Sequence, residues 1–270
     1  MYLQRYTSAI TAHGKAALWA HAVQQLEEMR CNAVVPNVFT YTAIISACGR
    51  GTQWEAGLQL FAEMRRHQVQ PNVMTHSVLI TGCGRAQQWS CALALFQEMP
   101  VSSISPDTAA CNTAITACEK GRLWQPALGL LAGMRRGRIP VDAISYNASI
   151  SACEKGQQWQ RAVALFGAME ESGIALQRAT YGAAISACAR GQQWPKALGL
   201  LEAMQGAAVV ANTICRNAAL SACQRARQWQ RALALLALAP AGSGTARDPA
   251  ACGAAMGACA GAWQWRSALG

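Results

Sequence analysis

The chain of 270 residues has little charge and none of the patterns that build common catalytic or metal sites. Only 13% of its residues are charged, and its four histidines are scattered. It has no Cys-x-x-Cys motif and no paired Cys/His motif, which argues against a zinc site. It also lacks the His-x-Glu pattern of zinc deaminases. No apolar run reaches the roughly 18 residues of a membrane span. We therefore expect no enzymatic activity, cofactor, metal or membrane partner.

What the chain has is a strict internal period, marked by tryptophan every 35 residues. Cysteine and methionine keep the same step, for example at Cys48 and Cys83 and at Met64 and Met99. A fixed period of this length indicates copies of one structural unit. The tryptophans lie at Trp19, Trp54, Trp89, Trp124, Trp159, Trp194 and Trp229. We frame seven units over residues 3–248, with bounds 3–37, 38–72, 73–107, 108–142, 143–177, 178–212 and 213–248, and a truncated eighth unit over 249–270.

Each unit contains two stripes of apolar residues at helical spacing. In the second unit, Tyr41 and Ile44 begin the first stripe, and Trp54 and Leu58 begin the second. Apolar residues at i, i+3, i+4 and i+7 predict a helix. Hydroxyl residues precede the first stripe as predicted helix caps, and glycines follow it as predicted helix ends. The caps are Thr40, Thr75, Ser145 and Thr180, and the glycines are Gly51, Gly121, Gly156 and Gly191.

A single helical hairpin cannot bury its apolar faces, so neighbouring units must stack. The predicted fold is all-α, an α-solenoid of stacked helix–turn–helix hairpins coiled as a right-handed superhelix. The repeated cysteines and tryptophans are interpreted as packing groups. A net charge of +10 points to an anionic partner. No targeting segment is visible, and the incomplete last unit indicates a part of a longer protein.

Three positions of the unit carry the functional pattern. The fifth residue is short and polar in six of the seven units, at Thr7, Thr42, Ser77, Asn112, Asn147 and Asn217, with Gly182 as the exception. The last residue is an amide or a carboxylate, at Asn37, Asn72, Asp107, Asp142, Gln177, Asn212 and Asp248. Eight residues after the fifth stands a cation, at Lys15, Arg50, Arg85, Lys120, Lys155, Arg190 and Arg225. One cation per unit predicts a polyanionic partner, although a cation at a helix end also suits the helix dipole.

The unit resembles the pentatricopeptide repeat of the plain 35-residue type. The resemblance covers residues 3–248 and is carried by Tyr-Asn-Ala-x-Ile-Ser-Ala-Cys-Glu-Lys-Gly, by Ala-Leu-x-Leu-Leu-x-x-Met, and by seven units in register. It implies binding of single-stranded RNA, one base per repeat. The fifth and last residues would read the base and the repeated cation would approach a phosphate. The second residue would pack on the base, with Phe39, Met74, Ile144 and Ile214 as the candidates, whereas Gln4, Ala109 and Ala179 offer less surface.

Carried over to this chain, the resemblance implies a base preference near 5′-AAGUYNU-3′. The pairs Thr7/Asn37 and Thr42/Asn72 would read adenine, and Ser77/Asp107 would read guanine. Asn112/Asp142 and Asn217/Asp248 would read uracil, Asn147/Gln177 a pyrimidine weakly, and Gly182/Asn212 no particular base. Replacing Asn112 by Thr would then shift the fourth base towards guanine.

The resemblance also implies a role in organelle RNA metabolism, such as stabilisation, processing, splicing, editing or translation, in a plastid or mitochondrion. Two alternatives stay open. The chain could be a protein-binding scaffold of the tetratricopeptide kind, whose period is 34 residues instead of 35. It could also be the RNA-binding part of a longer protein with a catalytic domain outside this sequence.

Overall fold

The structure, a computed structural model, describes residues 2–15, 18–237, 253–254 and 256–258. The side chains of residues 2–5, 15 and 237 are not among those described. Helices and the turns between them make up these ranges, which contain no strand. No helix in the described part is long and apolar enough to cross a membrane. The all-α prediction is confirmed.

The chain divides into two compact units, Met1–Val141 and Asp142–Gly270, each of which contains several of the 35-residue repeats. From here on, the first and second unit are these two parts of the chain, and each 35-residue segment is called a repeat. The first unit holds α1 (Tyr2–Lys15), α2 (Trp19–Cys31), α3 (Val38–Arg50), α4 (Trp54–Arg66), α5 (Val73–Arg85), α6 (Trp89–Val101), α7 (Thr108–Lys120) and α8 (Trp124–Arg136). The second unit holds α9 (Ala143–Lys155), α10 (Trp159–Glu171), α11 (Arg178–Arg190), α12 (Trp194–Gly206), α13 (Thr213–Arg225) and α14 (Trp229–Ala237).

Within each unit the helices form stacked antiparallel hairpins. Each hairpin consists of an odd-numbered first helix and the even-numbered second helix that follows it. The first helices of adjacent hairpins lie side by side: α3 lies between α1 and α5, and α11 lies between α9 and α13. Each second helix packs on its own first helix and on the first helix of the following hairpin, as α4 packs on α3 and α5. This is the stacking that the predicted α-solenoid requires, because each hairpin buries its apolar stripes against a neighbour.

The two apolar stripes supply the core of each hairpin. Tyr41, Ile44, Ile45 and Cys48 of α3 are at most 1% exposed, and Met64 of α4 is fully buried. Burying one such aliphatic side chain stabilises the fold by roughly 1.5–3 kcal/mol. The repeated cysteines are buried free thiols, as predicted. Burial raises the pKa of the Cys48 thiol to about 11, which keeps it protonated and unreactive near neutral pH.

The caps of the first helices are the last residues of the preceding repeats, so the prediction of Thr40, Thr75, Ser145 and Thr180 as caps was wrong. Asn72 precedes α5 with extended backbone, and its Oδ1 accepts from the Thr75 backbone N–H at 2.9 Å. Thr75 is instead the third helical residue, and its hydroxyl bonds back to the cap. An amide or carboxylate oxygen reaches the free N–H groups of the first turn, which explains the Asn and Asp at this position.

The glycines predicted to end the first helices do lie at those ends, directly after the last helical residue, at Gly51, Gly121, Gly156 and Gly191. Gly51 has a φ of −80°, and the left-handed residue is the next one, Thr52, with a φ of 59°. A Cβ atom on Gly51 would lie 2.7 Å from Cδ1 of Trp19. The same close approach joins Gly121 to Trp89. Glycine is therefore required here because any larger residue would collide with the tryptophan at the start of the second helix of the preceding hairpin.

Candidate nucleic-acid interface

Large apolar side chains are exposed to solvent in the first turn of several first helices. Phe39 is 78% exposed, Met74 62%, Ile144 58% and Ile214 65%. Each is the second residue of its helix, two positions after the cap, and Ala109 and Ala179 at the same place are also exposed. An exposed large apolar group at one recurring place indicates a contact surface for a ligand instead of a core. These are the residues for which base packing was expected.

Thr42 and Asn72, a predicted reading pair, are joined through the buried hydroxyl of Thr75. The Thr42 hydroxyl lies 3.0 Å from that of Thr75 and donates to the Val38 carbonyl at 2.7 Å. Oδ1 of Asn72 accepts from the backbone N–H and from the hydroxyl of Thr75, both at 2.9 Å. The Asn72 amide is therefore turned with its oxygen towards the protein and its NH₂ group towards solvent.

Ser77 and Asp107 form the equivalent pair one repeat later, without the linking hydroxyl. Oδ1 of Asp107 accepts from the Ala110 backbone N–H at 2.7 Å, and Asp107 is exposed. Alanine stands where the previous repeat has Thr75, so nothing connects the two side chains through this position. The hydroxyl of Ser77 makes no hydrogen bond within the described part of the chain. Because Oδ1 caps the helix, Oδ2 is the acceptor that Asp107 presents outward.

In the second unit, Asn147 and Gln177 are joined through Thr180. The Thr180 hydroxyl donates to Oδ1 of Asn147 at 2.6 Å and accepts from the Gln177 backbone N–H at 3.2 Å. Thr180 itself is fully buried. This differs from the pair around Thr75, whose hydroxyl donates to the last residue, Asn72, because Thr180 donates to the fifth residue and meets Gln177 only at its backbone N–H. The NH₂ group of Asn147 is thereby turned away from Thr180.

Gly182 and Asn212 line an open recess of about 670 Å³ together with Ala179 and Ile214. Oδ1 of Asn212 accepts from the Cys215 backbone N–H at 2.9 Å. A Cβ atom on Gly182 would lie 3.5 Å from the Cys215 sulfur, so the position has room for a side chain but carries none. The structure thus brings the two residues of this pair to one recess that has a single polar reading group.

The remaining candidates differ in how much surface they present. Asn112 is 9% exposed, and Thr7 and Asn217 are partly exposed. All three make interactions within the protein. Asn37 and Asp142 cap α3 and α9 in the same way as Asn72 caps α5. Asp248 and the side chains of Gln4 and Lys15 lie outside the described residues.

The repeated cations end the first helices, about 12 Å along the helix axis from the fifth residue. In the first unit, Arg50, Arg85 and Lys120 are exposed and have no ion-pair partner among the described residues. The second unit differs, because Nη2 of Arg190 lies 3.1 Å from Oε1 of Glu154.

Two other cations of the second unit are also engaged. Arg225 donates to the Ala189 carbonyl at 3.4 Å, and Lys155 makes a contact within the protein. Among the described side chains, the predicted series of one cation per repeat is therefore free of ion pairs at Arg50, Arg85 and Lys120 of the first unit, and engaged in the second unit.

Two features of this surface were not anticipated from the sequence. Thr75 and Thr180 were read as caps, and their link to the fifth residue of the preceding repeat was missed. The carboxylate of Glu154 was not considered as a partner of Arg190. A sequence signal for this link exists: a hydroxyl residue at the third position of a first helix follows a polar fifth residue of the preceding repeat, as Thr75 follows Thr42 and Thr180 follows Asn147. Within the described residues, no group of three His, Cys, Asp or Glu side chains is placed to hold a metal ion.

The fold and this surface define a helical-hairpin repeat protein in which exposed apolar residues and polar side chains recur at fixed positions of the hairpins. Three family models match the sequence. The PPR repeat family matches residues 5–50 and 36–85, the pentatricopeptide repeat domain matches 129–191, and the PPR repeat matches 74–104 and 179–207. The chain belongs to the pentatricopeptide repeat family. No curated protein sequence matches it.

Solved structures with the same fold include maize PPR10, with 18% identity and a TM-score of 0.52 over 96% of this chain and 47% of that one. A second structure, PPR10 in complex with an 18-nt psaJ RNA element, gives 17% and 0.50, covering 99% of this chain and 52% of PPR10. This chain thus spans about half the length of PPR10. The PPR domain of Arabidopsis thaliana protein-only RNase P 1, in complex with tRNA, gives 14% and 0.55, covering 64% of this chain and 91% of that domain.

Proposed function

We propose that the chain binds single-stranded RNA along the first helices of its hairpins, with one repeat for each base. The observation that carries this proposal is the recurring exposed apolar residue of the first turn, with Phe39 as the clearest example. It lies next to polar side chains whose outward groups are fixed by bonds inside the protein. Aromatic and apolar side chains that pack on bases, beside groups that read base edges, are the common means of recognising single-stranded RNA. The RNA-bound structures of PPR10 and of the RNase P domain support the same ligand class.

The hydrogen bonds around Thr42 and Asn72 favour adenine or cytosine over guanine and uracil. A hydroxyl has one proton, and both partners of the Thr42 hydroxyl, the Val38 carbonyl and the Thr75 hydroxyl, lie inside the protein. Thr42 therefore offers an acceptor to the ligand, while Asn72 offers its NH₂ donor. A base that faces this pair needs an amino donor beside a ring-nitrogen acceptor. Adenine and cytosine both have this arrangement on the Watson–Crick edge, whereas guanine and uracil have an imino N–H where the acceptor must be. The hydrogen bonds therefore support adenine or cytosine, and the family resemblance supplies the choice of adenine.

Asp107 reverses this polarity. Its outward oxygen accepts a hydrogen bond, which matches the imino N–H of guanine or uracil and repels the ring nitrogen of adenine or cytosine. The hydroxyl of Ser77, unlike that of Thr42, has no partner inside the described part of the chain and is able to donate. Guanine offers a carbonyl acceptor next to its imino donor, so Ser77 and Asp107 together support guanine at the third base. We retain 5′-AAGUYNU-3′ as the proposed preference, with the weakest discrimination at Gly182 and at the buried Asn112.

Phosphate contacts would come first from Arg50, Arg85 and Lys120, the repeated cations of the first unit that have no ion-pair partner among the described residues. Each phosphate neutralised in single-stranded RNA changes the slope of log K against log salt by about −0.7. Three such contacts give a slope of about −2, compared with about −5 if all seven repeats contributed. We further propose a role in organelle RNA metabolism, in a plastid or mitochondrion, and assign no chemical reaction to these repeats.

The test is to change Asn72 to Asp and measure the base preference at the second position. Aspartate caps equivalent helices at Asp107 and Asp142, so the fold should be retained. The wild-type chain should prefer 5′-AAGUYNU-3′, and Asn72→Asp should prefer guanine over adenine at the second base with the other positions unchanged. RNAs that differ only at that base, titrated by fluorescence anisotropy, provide the measurement. An unchanged preference would overturn the reading assignment, and absence of salt-dependent RNA binding would favour a protein-binding scaffold.

A further inference from the structure

We propose that a buried hydroxyl at the third residue of a first helix positions the base-reading side chains of the repeat before it. Thr75 and Thr180 would then be specificity-determining residues that never touch the RNA. The inference rests on the proposed function, because it concerns how the reading side chains are held. Both hydroxyls are fully buried, which excludes direct contact with a ligand.

The Thr180 hydroxyl holds Asn147 in one orientation. It donates to Oδ1 of Asn147 at 2.6 Å, and this is the one hydrogen bond of the Asn147 side chain within the described residues. Since Oδ1 is bound to a donor inside the protein, the NH₂ group is left for the ligand. An outward NH₂ group matches a pyrimidine carbonyl. Without the hydroxyl, the amide would be free to rotate and to present either of its ends.

Thr75 acts on both members of its pair. Its hydroxyl adds a second bond to Oδ1 of Asn72, at 2.9 Å, and contacts the Thr42 hydroxyl at 3.0 Å. The backbone N–H of Thr75 also binds Oδ1, so the orientation of Asn72 does not depend on the hydroxyl alone. We therefore expect the loss of the Thr75 hydroxyl to have a smaller effect than the loss of the Thr180 hydroxyl.

The repeats that lack this hydroxyl fit the same rule. Ala110 stands after Ser77, whose small hydroxyl is able to donate or to accept and has no amide to orient. Cys215 stands after Gly182, which has no reading side chain. A buried hydroxyl costs free energy unless it is hydrogen-bonded, so valine would be the simpler residue at positions 75 and 180 if packing were their whole role.

The experiment compares Thr180→Val and Thr75→Val, which keep the shape and remove the hydroxyl, with Thr180→Ser and Thr75→Ser, which keep it. Thr113→Val is the matched control, because the Thr113 hydroxyl donates only to the Ala109 carbonyl of its own helix. Each variant is titrated with RNAs based on 5′-AAGUYNU-3′ that differ at one base. Thermal unfolding is followed in parallel.

We expect Thr180→Val to bring the preference for pyrimidine over purine at the fifth base close to unity, with the other bases unaffected. Thr75→Val should reduce an adenine preference of about tenfold at the second base to about threefold. Both serine variants and Thr113→Val should retain the wild-type preferences. A uniform loss of affinity for every RNA, in step with a lower unfolding temperature, would overturn the proposal in favour of a purely structural role.

Retention of wild-type preferences by both valine variants would also overturn it, while leaving the proposed function intact. A wild-type chain without any base preference would overturn both.

Discussion

Arg190 donates to Glu154 across 3.1 Å, so the cation of one repeat is already paired with the carboxylate of the repeat before it. The Glu154 side chain is 13% exposed and that of Arg190 46%. An ion pair at the surface contributes little to stability, on the order of 0–1 kcal/mol. Its larger consequence is for binding, because a paired guanidinium offers less charge to a phosphate.

Glu154→Gln should therefore increase the affinity for RNA. The amide keeps the shape of the side chain, removes its charge and leaves Arg190 available to a phosphate. We expect a gain of about two- to fivefold near physiological salt, from a weakly screened charge change. Glu202→Gln is the control, since it makes the same charge change at an exposed site on a second helix. An equal gain in both variants, measured by anisotropy at several salt concentrations, would show an effect of net charge alone.

Phe39→Ala should weaken RNA binding without destabilising the fold. The ring is 78% exposed, so its removal creates no cavity, and the free energy of unfolding should change by less than about 0.5 kcal/mol. Stacking on a base contributes roughly 1–3 kcal/mol to binding, so the affinity should fall by about tenfold. Val35→Ala is the matched control, because Val35 is 79% exposed but lies in the turn before the cap. Equal losses of affinity from the two variants would contradict base packing by Phe39.

The sequence was sufficient to predict the helical hairpins, because their apolar spacing and 35-residue period are local and repeated. It was not sufficient for the first turn of each hairpin. Asn72 and Thr75 are both plausible caps from their chemistry, and only the backbone geometry shows that Asn72 has the extended conformation. Gly51 was correctly placed at the end of α3, but the reason for glycine there is a tryptophan ring in the previous repeat, which no local rule of helix termination includes.

The candidate site was predicted as a set of positions but not as a set of contacts. Recurrence in register identified Thr42, Asn72 and the cations without any geometry. The engagement of Arg190 by Glu154 could not be predicted in the same way, because glutamate occupies this place in only two repeats, at Glu119 and Glu154. Such a contact depends on the spacing between helices, which a sequence pattern does not specify.

His76 should make the stability of the fold depend on pH below neutrality. The ring is fully buried, its Nδ1 lies 3.1 Å from the Asn72 carbonyl, and its Nε2 has no hydrogen-bond partner. Burial lowers the pKa of His76 below 6.5, with a further lowering by Arg65, opposed by the Asn72 carbonyl and by Glu98. The unfolded chain therefore takes up the proton first as the pH falls. The contribution to stability is complete above about pH 6.5 and is lost as the pH falls towards the lower pKa of the folded state.

Urea unfolding between pH 5 and 8 tests this dependence. His76→Tyr, which places the residue of Tyr41 and Tyr146 at the equivalent position, should reduce the slope of stability against pH in this range. The exposed His67, changed to Gln, is the control and should leave the slope as it is. A slope that survives in His76→Tyr would show that other groups cause it.

Two glycines, one in the turn after a second helix and one inside a second helix, allow a test of backbone strain with the same substitution. Gly173 has a φ of 67°, whereas Gly199 lies inside α12 and is not left-handed. An added Cβ atom would meet nothing within 4 Å at either site, so packing is not altered. Gly173→Ala should destabilise the fold by about 1 kcal/mol, because a left-handed backbone is unfavourable for alanine. Gly199→Ala should stabilise it by about 0.5–1 kcal/mol, through the better helix propensity of alanine. Chemical unfolding of both variants measures the difference, and a change of the same sign at the two sites would rule out backbone conformation as the cause.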